Sequence, residues 1–140
     1  MKKALRIIIS LLILAFIGIQ FIPVARTNPP VQVEPTWNSP RTKELFTRAC
    51  ADCHSNETVW PWYSKVYPVS AWIAHHVEEG REHFNINEKG FGRGYDEAAE
   101  AVEKGWMPLE SYLPMHPEAK LTPEEKEELA AGLKATFDLH

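Results

Sequence analysis

The sequence predicts a small all-α domain. Three observations lead there. Apolar residues recur at helical spacing behind good helix-start signals, and no segment alternates with the period of two that a half-buried strand requires. A Cys-Ala-Asp-Cys-His motif, residues 50–54, closes the first helix of the domain. The chain has 140 residues, which is one domain once an unusual N-terminal segment is set aside.

That segment opens Met-Lys-Lys-Ala-Leu-Arg and continues as an apolar run from Ile7 to Ala25, broken only by Ser10, Gly18, Gln20 and Pro23. As a helix the run covers about 28 Å, close to the hydrocarbon thickness of a bilayer. Basic residues on the short N-terminal side favour a cytoplasmic N-terminus with the rest exported. A cleavable signal peptide is the rival reading, but cleavage after Ala25 would place Pro23 where a small residue is wanted. The expectation is therefore an N-terminal transmembrane helix over residues 1–25, single-pass in the cytoplasmic membrane, with the domain on the extracytoplasmic (periplasmic) side. Residues 26–37, with Pro29, Pro30 and Pro35, read as a semi-extended tether. Residues 38–140 form the domain.

Lys2, Lys3 and Arg6 are the only charges before Arg26, so the remainder carries 12 basic and 19 acidic residues, a net of −7. An acidic exported domain is a poor partner for nucleic acid. It is better suited to meeting a basic protein.

Within the domain, Ser39 is an N-cap and Pro40 a first helical residue. Leu45, Phe46, Ala49 and Cys50 follow on one face. Two thiols three positions apart share one side of a helical turn, so both sulfurs reach the two vinyl groups of a single porphyrin. The histidine directly after offers a nitrogen to the iron. This is the attachment motif of c-type haem. The cofactor expected is one haem c, held covalently through Cys50 and Cys53 with His54 as proximal ligand. Ala51 and Asp52 need only not interfere. A zinc site lacks its second cysteine pair, and a thioredoxin-like pair lacks its βαβ setting. Around the haem the expected architecture is cytochrome c-like.

Aromatic residues after the motif, Trp60, Trp62 and Tyr63 with Tyr67 and Trp72, are expected to wall the haem. The imidazole of His54 should donate its second nitrogen to a carbonyl, and loop position suggests Pro61 or Pro68. Ser70 is expected to cap a helix carrying Trp72, Ile73, His76 and Val77. Gly90-Phe-Gly-Arg-Gly is a turn without a phosphate-loop pattern. A further helix should run from near Asp96 to Lys104 and stop at Gly105.

Met107-Pro108 follows at once. A thioether in a Met-Pro loop before the last helix is where cytochromes c commonly place their distal ligand, so Met107 is the expected sixth ligand. Met115, the histidines His75, His76, His83 and His116, or an open site are the alternatives. Thr122 and Glu125 form a capping box, and Leu129, Leu133 and Phe137 make a stripe expected to pack on Leu45 and Phe46.

The run Asn56-Glu-Thr-x-Trp-Pro-Trp-Tyr-Ser64 close behind the Cys-x-x-Cys-His motif is specific. Together with Pro68-Val-Ser-x-Trp-Ile-Ala-x-His-Val77, Met107-Pro and His116-Pro-Glu-Ala, it resembles the bacterial haem-binding domain family of single-haem, membrane-anchored proteins. The resemblance covers about residues 37 to 140 and implies a c-type cytochrome-like domain without fixing its reaction.

Function follows from the sixth position. A closed site with Met107 suits electron transfer with a redox protein partner at the membrane, after loading by the c-type maturation machinery. A five-coordinate iron would suit a peroxidase-like enzyme or a redox or gas sensor. Electron transfer is the expected role.

Overall fold

The computed structural model describes residues 1–138. Among them are six α-helices, several single 3-10 turns and no strand. One isolated bridge pairs Phe84 with Gly92. The all-α expectation holds.

The chain forms two compact units. One comprises Met1–Thr27 with Trp60–His75. Its helix α1, Lys2–Ile19, has no buried residue. The helix ends six residues short of the expected limit, and three of its 18 residues are Lys2, Lys3 and Arg6. Its apolar part, Ile7–Ile19, measures about 20 Å at 1.5 Å per residue. The expected transmembrane helix is corrected accordingly: among the described residues no helix is long and apolar enough to cross a membrane. Gln20 leaves the helix and bonds both backbone groups of Tyr67, accepting from its N–H at 3.0 Å and donating to its C=O at 3.1 Å.

The other unit comprises residues 28–59 and the chain from His76 onward. Its core joins Leu45, Phe46, Phe84, Val102, Leu129 and Leu133, all nearly inaccessible. Helix α2, Pro40–Ala49, starts as expected, with Ser39 Oγ accepting from Thr42 N–H at 3.1 Å. After a break at Cys50, where φ is −128°, helix α3 adds the single turn Ala51–His54. Helix α4, Val69–His83, begins one residue before Ser70, which is buried in its first turn instead of standing outside as a cap.

Helix α5, Ala98–Glu103, is followed by Gly105 at φ +72°. This left-handed position closes a helix cheaply only with glycine. Helix α6, Pro123–Phe137, carries the predicted capping box in full. Leu129 and Leu133 pack into the cluster with Leu45 and Phe46, while Phe137 sits against the rings of Phe84, Phe91 and Tyr95. The α2–α6 seam is close: a Cβ on Gly132 would fall 2.1 Å from Thr42 Oγ1.

The Pro-rich stretch is extended, as its prolines require, but it is fastened to the domain. Gln32 and Val33 donate backbone N–H groups to Asn87 O at 3.0 and 3.2 Å. Pro30 O accepts from Asn56 Nδ2, and Val33 O from Asn87 Nδ2. A swinging tether has no such bonds. From Pro30 to Val33 this stretch is bonded to Asn56 and Asn87 of the domain.

Candidate haem site

Helix α3 is one turn long, so it borrows its fixity from its neighbours. Cys53 and His54 donate backbone N–H groups to Cys50 O at 3.2 and 3.0 Å. Both cysteines are half-buried and neither is in a disulfide. Burial, with Cys53 nearby, pushes the Cys50 thiol up to about 12, and burial with the Asp52 charge, against Arg81, pushes that of Cys53 to about 11. Both stay neutral thiols at ordinary pH.

The C-terminal end of α4 lies over this turn. A Cβ on Gly80 would stand 2.7 Å from the Cys53 carbonyl oxygen, so only glycine permits the approach. His54 bonds two backbone carbonyls at and just past this helix end. Its Nδ1 lies 3.1 Å from Gly80 O and 2.9 Å from Phe84 O. Carbonyls only accept, so Nδ1 carries the proton and Nε2 keeps its lone pair. Burial lowers the pKa of His54, against the two carbonyl bonds that favour the charged ring. The neutral ring is the form that binds a metal. These two carbonyls replace Pro61 and Pro68 as the partners of His54: α4 ends on the turn, where Phe84 O and Gly80 O, the latter also accepting from Phe84 N–H, meet the ring.

Two cavities, of about 380 and 290 Å³, meet here; Cys50, His54, His83 and Met107 line both. The larger is walled by Phe46, Phe84, Ala101, Val102 and Leu133, the smaller by Cys53, Gly80 and Tyr112. The chemistry of the recess is that of a flat, mostly apolar guest bearing a metal. It has mostly apolar walls, the Nε2 lone pair of His54, a second imidazole in His83, one thioether and two thiols. These residues fit haem.

A family model for the haem-binding domain matches residues 14–135. The chain belongs to that family. No curated protein and no solved structure matches it.

In this haem-binding domain Cys50, Cys53, His54 and Met107 line one cavity. Trp60, Trp62 and Tyr63 do not join them. They belong to the unit of α1, Trp62 is 73% exposed, and neither cavity has any of the three in its lining. The aromatic side chain taking part in the recess together with Phe46 and Phe84 is Trp106, with Lys104 Nζ 4.6 Å from its ring centre.

Met115 is 57% exposed and outside both linings. His116 stacks on Tyr112 with ring centres 3.9 Å apart. His83 was read only as one histidine among several. The signal that could have raised it is Gly94, where a Cβ would strike the His83 ring at 2.2 Å.

Proposed function

We propose that this haem-binding domain is a c-type cytochrome that carries electrons on the extracytoplasmic side of the cytoplasmic membrane. Cys50 and Cys53 hold one haem as thioethers, His54 Nε2 takes the proximal position and Met107 Sδ the distal one. The observation that carries the reading is the shared recess. Two neutral thiols, a correctly protonated imidazole and a thioether face one apolar space. The haem, when bound, supplies a centre that takes up and gives back single electrons. The chain does the rest. His54 is kept neutral and aimed by two carbonyls, and a Met/His pair favours the reduced state. The apolar walls keep water from the centre. A carrier needs no substrate pocket beyond this.

Export is read from the N-terminal segment, in which three basic residues precede the apolar part of α1. An apolar stretch of that length has the form of a secretory address. Loading by the c-type maturation machinery and exchange with a redox protein, for which the net charge of −7 suggests a basic face, both belong to that compartment.

One observation favours a second reading. His83 lines both cavities and is a possible acid–base group for peroxide chemistry at an open sixth position. The same experiment separates the two. The matured protein is reduced and its spectrum recorded before and after carbon monoxide. A c-type spectrum unmoved by the gas is the carrier's result. Rapid binding gives the open site and overturns the carrier reading.

A further inference from the structure

Asp52 stands between the two cysteines, where the haem chemistry asks nothing of it. Both its carboxylate oxygens are nevertheless engaged. Oδ1 accepts from Val59 N–H at 2.8 Å, and Oδ2 accepts from the hydroxyl of Tyr112 at 2.6 Å. Tyr112 closes the loop that opens with Met107 and lines the same cavity as Met107 and His54. That loop is fixed at its start, where Trp106 and Met107 both donate N–H groups to Ala101 O at 2.9 and 3.1 Å. Pro108 then removes a donor, and among the described residues the one backbone bond from there up to Tyr112 is the turn from Tyr112 N–H to Leu109 O. The far end of the loop therefore depends on a side chain.

We propose that Asp52 and Tyr112 form a clamp tying the loop that bears Met107 to the turn that bears His54. This makes both of them positioning residues for the sixth iron ligand. The inference rests on the reading of Met107 as that ligand. A phenol donating to a carboxylate makes a short, strong bond, and Val59 fixes the direction in which the carboxylate points. With the clamp closed the sulfur is presented to the iron at both ends of its loop. With it open the far end keeps only packing, of Tyr112 on His116 and against the core, and the sulfur leaves the iron more often.

The test uses the full chain, exported and loaded with haem. The readouts are the rate of carbon monoxide binding to the reduced form and the thioether-to-iron absorption band of the oxidised form. Tyr112→Phe keeps the ring and removes only the hydroxyl. It and Asp52→Ala should each raise the binding rate about tenfold and weaken the band. The double variant should do no more than Asp52→Ala alone, because that substitution already removes the bond to Tyr112 along with the one to Val59. Asp52→Asn keeps an oxygen for Val59 N–H and turns its amide to the Tyr112 oxygen as donor, a weaker neutral bond, so it should fall between the parent and Asp52→Ala.

Met107→Ala separates the two claims. If it opens the site while Tyr112→Phe behaves as the parent, the clamp is wrong and the ligand assignment stands. If Met107→Ala binds the gas as slowly as the parent, the ligand assignment falls and takes the clamp with it. Additive effects of the two clamp substitutions also overturn the proposal. Should Tyr112→Phe fail to mature, the contrast between Asp52→Ala and Asp52→Asn decides on its own.

Discussion

The turn that carries His54 and the loop that carries Met107 face one recess but are built in opposite ways. Around His54 nearly every polar group is paired inside the protein. Asn56, Asn85 and Asn87, each at most 2% exposed, interlock: Asn85 Nδ2 donates to Asn56 Oδ1, while Asn85 and Asn87 side-chain oxygens accept from the backbone of Asn87 and Asn56. Ile86 N–H returns to His54 O at 3.0 Å. Phe84, whose carbonyl holds the imidazole, begins that segment. Around Met107 there is one shared carbonyl, a turn and a tyrosine. The His54 side is set by the fold, whereas the Met107 side can yield while the fold persists.

The strongest way to break this contrast is Asn85→Ala. It leaves Asn56 Oδ1 and Asn87 N–H buried without their partner, each at a cost of about 1–3 kcal/mol. We expect a fall in unfolding free energy of about 2–4 kcal/mol, measured by urea titration. The proximal spectrum should change as well, because the segment holding Phe84 O loosens. A spectrum unchanged despite lost stability would show that His54 does not depend on the asparagine network.

Gly80→Ala comes next. The added methyl meets the Cys53 backbone at 2.7 Å, and forced overpacking of this kind costs about 1–3 kcal/mol. Either α4 moves off the turn, stretching the Gly80 and Phe84 bonds to His54, or α3 distorts. Both outcomes should broaden the reduced spectrum and lower haem incorporation during export. Normal incorporation with unaltered thermal stability would show that the approach has slack.

Met107→Ala tests the other side. Truncating a half-buried methionine in a loop should cost about 1 kcal/mol or less, below the 2–5 kcal/mol of a core site, yet it should admit carbon monoxide freely and lower the reduction potential. A large stability loss with no ligation change would reverse the roles assigned to the two sides.

The unequal construction also explains what could be read from the sequence. Cys50, Cys53 and His54 are adjacent, so a local motif reports them. The Ser39 and Thr122 caps and Gly105 are local too, and all three fell where expected. The partners of His54 lie 26 and 30 residues away, on a helix end whose register no spacing rule fixes. Trp60, Trp62 and Tyr63 were placed at the haem by their closeness to the motif in sequence; they fall in the compact unit of α1 and are in the lining of neither cavity. The length of α1 was misjudged because hydropathy ran on to Ala25 while the helix ended at Ile19. Asp52 looked idle because its partner, Tyr112, is 60 residues on.

The smallest effect lies at the start of α6 and serves as the control on both sides. Glu125 is bound by Arg48 and Arg41 and accepts from Thr122 N–H, which together lower its pKa to about 2. A carboxylate depressed in the folded state contributes stability that is present above its unfolded value, about 4.3. That contribution is lost as pH falls towards 2. Glu125→Gln should therefore be slightly less stable than the parent at pH 7, and the two urea midpoints should converge as the pH is lowered through that window. Added salt should narrow the gap at pH 7, since exposed ion pairs are screened. The haem spectrum should not move at any pH where both are folded. If it does, the α2–α6 seam and the recess are coupled through Phe46, Leu133 and their neighbours, and the distal side is less independent of the fold than its loop construction implies.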